Sequence, residues 1–158
     1  MSDEHHFLLQ RVQPAMVGLI DGSLSTLAPI FGIVFYTHQP HTAFVAGLAT
    51  SIGAAISMAF SEGLSDTGEL TGRGSPATRG VITGVGTFLG GILHTLPFLI
   101  PNYHVAVVAA AIVVAFELIA LAVIRWKFFD TGFLKSLLAI SVGGAVIAVV
   151  GALIGSTG

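Results

Sequence analysis

The chain has 158 residues, 54% of them hydrophobic and 9% charged, with a formal net charge of −2 and no cysteine. Its mean hydropathy is +0.92, whereas soluble domains carry roughly 25% charged residues, so a water-soluble globule is excluded. The small, dispersed charge excludes nucleic-acid binding, and the lack of cysteine excludes disulfides and thiolate metal sites.

A spanning helix needs about 20 mostly apolar residues. Five segments meet that description: Ala15–Thr37, Thr42–Leu64, Gly80–Ile100, Val105–Ile124 and Phe133–Gly155. The expected fold is therefore an all-α integral membrane protein, a single five-helix domain over residues 1–158. Met1 to Gln10 lacks the basic-then-apolar pattern of a cleaved signal peptide, so the first span is expected to remain. The connections Thr37–His41 and Pro101–His104 are short; Ser65–Arg79 and Arg125–Thr131 are longer and polar. The six basic residues, Arg11, Arg73, Arg79, Arg125, Lys127 and Lys135, all lie on the side of the N-terminus and the longer connections. Basic residues stay cytoplasmic. The predicted topology has the N-terminus in the cytoplasm and the C-terminus outside. An odd number of spans cannot form two equal halves, so any two-fold path needs a homodimer.

Ionisable groups in lipid are costly and mark function. Asp21 lies about six residues into the first segment, roughly 9 Å from its cytoplasmic end. Met58 sits at a similar depth in the second segment, and Glu62 one turn nearer the cytoplasm on the same face. Glu117, about seven residues from the predicted end of the fourth segment, is roughly 10 Å deep. These four are the candidate metal ligands. Carboxylates with a thioether suit a divalent first-row metal better than Mg²⁺ or Ca²⁺. The plainer readings are packing for Met58 and a water-facing headgroup position for Glu62.

Three residues are candidates for the path or for proton carriage. Pro29 frees the carbonyl four residues earlier, that of Ser25, one turn above Asp21. His94 ends a small-residue stripe, Gly80, Gly84, Thr87 and Gly91, in the outer half of the third segment. Such stripes also serve ordinary helix packing, and His94 reads equally as a polar group bonded between helices. His38, His41 and His104 are expected to be interfacial, and His5 and His6 to belong to a tail. The glycines of Gly80–Gly86 lie inside a span and form no phosphate loop.

The segments GLIDGSLSTLAPIFG around Asp21, AISMAFSEGLSD from Ala55 to Asp66, GTFLGGILHTLPFLIP from Gly86 to Pro101, and the last span together resemble the vacuolar iron transporter family. They are most similar to the membrane half of bacterial membrane-bound ferritin proteins. The resemblance implies a dimer of five-helix subunits that moves Fe²⁺ or Mn²⁺ out of the cytoplasm in exchange for protons. It implies metal binding at Asp21 and Met58, no permanently bound cofactor, and residence in a bacterial inner membrane. The sequence departs from the family at the Ser65–Arg79 connection, which is short, with only Asp66 and Glu69 acidic. A ferritin-like domain is also absent from it. A separate ferritin-like or other iron-delivery partner is then expected, unless the transporter is minimal or the sequence is a piece of a longer one. The competing reading is a non-transporting membrane anchor for a soluble iron-handling protein.

Overall fold

A computed structural model describes residues 3–129 and 132–157. The described residues are helical with short connections: α1 (Asp3–Phe7), a π-helical turn (Leu8–Val12), α2 (Gln13–Ser25), α3 (Leu27–Thr37), α4 (Pro40–Gly63), α5 (Pro76–Leu93), a 3₁₀ turn (Leu96–Leu99), α6 (Tyr103–Phe129) and α7 (Phe133–Gly155). Prolines open α4 and α5, where the missing N–H costs nothing. Four stretches are long and apolar enough to cross a membrane: Asp3–Thr37 as one run, α4, α6 and α7. α5 is not among them, because five glycines, three threonines and Arg79 dilute its apolar side chains.

α4, α5 and α6 start at Pro40, Pro76 and Tyr103, two to four residues before the predicted Thr42, Gly80 and Val105, and three further differences matter more. The first segment is broken at Thr26, between α2 and α3. The third stops as regular helix at Leu93 and continues as a turn. The fourth runs on to Phe129, five residues past its predicted end at Ile124. Glu117 is therefore twelve residues from the helix end, about 18 Å along the axis, near the middle of α6. The predicted distance of about seven residues between Glu117 and the helix end is corrected accordingly. The last part of the predicted fourth connection, Asp130 and Thr131, lies outside the described residues.

α5 packs most closely on α2 and α4, and α7 on α3 and α6. Two apolar clusters fill the interior. One joins Leu27, Ile30, Phe31 and Val34 of α3 to Phe98, Ala106 and Ala110. The other joins Met16 of α2 to Leu118, Leu121 and Ile140. Between them along the helices lies a layer of buried polar groups: Thr26, His94 and Glu117. The outer surface is apolar, as in Val81, Val85, Leu89 and Leu93 of α5 and Val142, Val146 and Val149 of α7. In water such a surface would be an association liability; in lipid it is the expected face. The first connection and the region around Tyr103 meet at one end of the bundle, where the exposed His38 ring lies 4.9 Å from that of Tyr103. The N-terminal turn, the α4–α5 connection and the end of α6 meet at the other.

Candidate functional site

The buried polar layer depends on glycine. A Cβ on Gly22 would run into the Thr87 carbonyl, and one on Gly91 would lie 2.6 Å from Ser51 Oγ and 2.9 Å from the Thr26 methyl. The two helices therefore approach at backbone distance, as small-residue seams allow in membranes. That approach brings Thr26 against His94. Thr26 Oγ1 lies 2.7 Å from His94 Nε2, and His94 Nδ1 lies 2.8 Å from Glu117 Oε2. The side chains of His94 and Glu117 are 1% and 7% exposed. Glu117 Oε1 is buried without a hydrogen-bond partner. Thr26 breaks the helix through its own hydrogen bonds. Its backbone N–H bonds the Leu24 carbonyl, and its hydroxyl donates to the Gly22 carbonyl at 2.9 Å.

Asp21 stands apart from this layer. It is half-buried on α2, and none of the hydrogen bonds or ion pairs among the described residues includes it. Ser25 and Pro29, at successive spacings of four, are exposed on the same edge, as is Val17 one turn before Asp21. The stripe is thus open along the outside of the single chain. Met58 is half-buried on α4.

Glu62 has partners that the sequence reading did not assign to it. Arg73 Nη2 donates to its Oε1 at 2.6 Å and Arg79 Nε donates to the same oxygen at 2.8 Å. Arg73 Nη1 also donates to Asp66 Oδ2 at 2.9 Å, and Arg79 Nη2 to the Asp66 carbonyl at 3.1 Å. Arg79 is fully buried, and its Nη1 donates to the Gly74 carbonyl. Burial works against ionisation of Asp66, but Arg73, the Gly68 backbone N–H, Thr71 and the Arg79 charge hold its carboxyl below the usual range. Gly68 and Gly74 take positive φ values of 81° and 70°, which the tight turn over Arg79 requires. Gln10 Nε2 donates to the Gly72 carbonyl, tying the loop to the N-terminal turn.

The four predicted ligands therefore do not converge within one chain. Glu62 is held by two guanidinium groups, Glu117 by His94, and Asp21 faces outward. Among the described residues no three His, Asp or Glu side chains are grouped to hold a metal ion. Sequence reasoning missed Thr26, Arg73 and Arg79. The signal available for the arginines was the Glu62–Asp66 pair, one helical turn apart, facing a connection with two arginines. Thr26 carried none.

Several long apolar helices packed on a buried polar layer define a multi-pass membrane protein. Residues 12–71, which include Asp21, Met58 and Glu62, match the model of the VIT family. That match supports membership of the vacuolar iron transporter family, a family of membrane metal-ion transporters rather than of enzymes. Neither the curated proteins nor the solved structures contain a match.

Proposed function

We propose that the protein exports divalent iron or manganese from the cytoplasm in exchange for protons, as a homodimer of five-span subunits in a bacterial inner membrane. The observation that carries this reading is Asp21, a half-buried carboxylate with no partner among the described residues, on an edge shared with Ser25 and Pro29. A carboxylate left unpaired in lipid is costly. A second copy facing this edge would double the carboxylates and close a path between the two chains. Asp21 and Met58 are the proposed ligands. Ser25 and Pro29 lie further along the path, where the carbonyl freed by Pro29 supplies an oxygen. Glu62 and Glu117 are assigned elsewhere, to the arginine cluster and to His94.

The fifth span is α5. Its 18 residues extend about 27 Å, close to the hydrocarbon thickness of about 30 Å, and its exposed stripe is Val81, Val85, Leu89 and Leu93. The basic end of the bundle is the cytoplasmic one by the distribution of its Arg and Lys residues, and an iron-delivery partner would dock there. The anchor reading draws support from the lack of a three-residue metal group among the described residues of one chain, but an anchor has no use for an Asp21 that has no partner among them. Uptake of Fe²⁺ and Mn²⁺ into proteoliposomes under a proton gradient tests the proposal. No wild-type uptake of either ion above empty vesicles would sink it.

A further inference from the structure

The geometry assigns Thr26, His94 and Glu117 to a buried proton-binding site that reports its occupancy to the break between α2 and α3. The donor and acceptor count carries this. The Thr26 hydroxyl has one hydrogen and two acceptors within reach, the Gly22 carbonyl at 2.9 Å and His94 Nε2 at 2.7 Å. When that hydrogen goes to Gly22, the contact with His94 needs its hydrogen from Nε2. With Nε2 protonated, the 2.8 Å contact between Nδ1 and Glu117 Oε2 holds one further proton, whichever atom carries it. The pair in this state has no net charge, the form that burial favours.

Release of one proton to water leaves a carboxylate and a single ring hydrogen. That hydrogen moves to Nδ1, where it faces the carboxylate, and Nε2 becomes an acceptor. The Thr26 hydroxyl must then turn from the Gly22 carbonyl to Nε2. Because the Thr26 backbone N–H is committed to Leu24, the Gly22 carbonyl loses the donor that Thr26 supplied. Gly22 directly follows Asp21, and Ser25 directly precedes Thr26. Proton loss thus loosens the helix between the proposed metal ligand and the carbonyl freed by Pro29. Glu117 Oε1, buried and unpartnered, is the position at which the site has hydrogen-bonding capacity to spare.

Among the described residues no other charge sits in the layer. α2 carries Asp21, five residues before Thr26; α4 carries ionisable groups only at its ends, His41 and Glu62; α5 carries Arg79 at its far end, held by Glu62 and Asp66. α6 carries His104, Arg125 and Lys127 near its ends, and α7 carries Lys135 in its first turn. Among the described residues the pair has no hydrogen bond or ion pair to any of these.

What the proton does for transport rests on the proposed function; the site itself does not. The test is nitrogen NMR of histidine-labelled, metal-free wild-type protein across pH, with His94 assigned sequentially or by its loss in His94→Gln. The expected result is a hydrogen on Nε2 at low pH and on Nδ1 at high pH. In Glu117→Gln the midpoint should move by at least about tenfold in proton concentration, the size of a one-unit coupling. Thr26→Ser should keep the wild-type titration and Thr26→Val should shift it. An Nε2 hydrogen that stays in place while the protein remains folded, or a titration indifferent to Glu117→Gln, overturns the inference. If His94 titrates as described while the wild type moves no metal, the transport reading falls and the proton site stands. Metal uptake with a fixed Nε2 hydrogen gives the reverse.

Discussion

Arg79 donates from Nε to Glu62 Oε1 across 2.8 Å, and the arginine is fully buried while the carboxylate is 11% exposed. One guanidinium thereby joins the start of α5 to the end of α4 and, through Gly74 and Asp66, to both ends of the loop between them. Arg79→Ala should lower stability in denaturation of the detergent-solubilised protein, because it removes a fully buried side chain together with its hydrogen bonds to Glu62, Gly74 and Asp66. Arg73 still neutralises Glu62, so the cost of about 3–5 kcal/mol for a stranded buried charge is its upper bound. Arg73→Ala should cost less, since Arg73 is 20% exposed and Arg79 still neutralises Glu62. Equal losses for the two variants would refute the assignment of Arg79 as the central contact.

Asp66 makes the same loop sensitive to acid. Its carboxyl titrates below its usual range in the folded protein. A depressed folded value means that the ionised form stabilises the fold above the unfolded value, and that this contribution is lost as pH falls through the folded one. Protection of the amides of residues 66–75 against hydrogen exchange, taken relative to the intrinsic rate at each pH, should therefore fall on acidification below the unfolded value. In Asp66→Asn exchange should be faster at neutral pH, and its acid dependence should shrink. An unchanged acid response in the variant would show that other carboxylates hold the loop.

Much of the architecture was legible because hydropathy and proline placement are local signals. The last helix runs from Phe133 to Gly155 as expected, and the second and third spans start at Pro40 and Pro76, two and four residues before the predicted Thr42 and Gly80. The break at Thr26 was legible in part: Pro29 frees the Ser25 carbonyl and so marks a kink at this point, while the way one hydroxyl and one N–H of Thr26 are shared carries no sequence signal. The distance from Glu117 to its helix end was read too short because α6 continues through Trp126, Phe128 and Phe129, aromatic residues that also mark a membrane boundary. Partner choice was the larger gap. Glu62 and Glu117 look alike in sequence as acids in apolar helices. Packing gives one to two arginines and the other to a histidine. Asp21 stood out in sequence because no basic residue shares its depth, and it has no partner among the described residues.

Gly22 tests whether the polar layer depends on the close seam between α2 and α5. A methyl group there meets the Thr87 carbonyl and lies 2.9 Å from the Gly91 nitrogen, both of them backbone atoms of a rigid helix. Overpacking of this kind costs about 1–3 kcal/mol or more. Gly22→Ala should reduce the yield of folded protein and remove the His94 pH response by drawing Thr26 away. Gly143→Ala, where a Cβ meets nothing within 4 Å, is the matched control and should be near neutral. Equal behaviour of the two in a thermal melt would show that the seam has slack.

Asp21 and Glu62 separate the proposed metal site from the structural ion cluster. Asp21 has no hydrogen bond or ion pair among the described residues, so Asp21→Asn removes charge without stranding a partner, and folding should change by less than about 1 kcal/mol. Transport, by contrast, should fall at least tenfold, about 1.4 kcal/mol of lost stabilisation, if the carboxylate is a ligand. Met58→Ala should lower the apparent affinity more for the softer of two competing ions. Glu62→Gln should show the opposite balance, with a clear loss of stability because Arg73 and Arg79 lose their shared carboxylate. Proteoliposome uptake and thermal melts on the same preparations give both readings. If Asp21→Asn melts early and transports normally, the outward edge of α2 is a packing surface, and the metal path must lie elsewhere in the bundle.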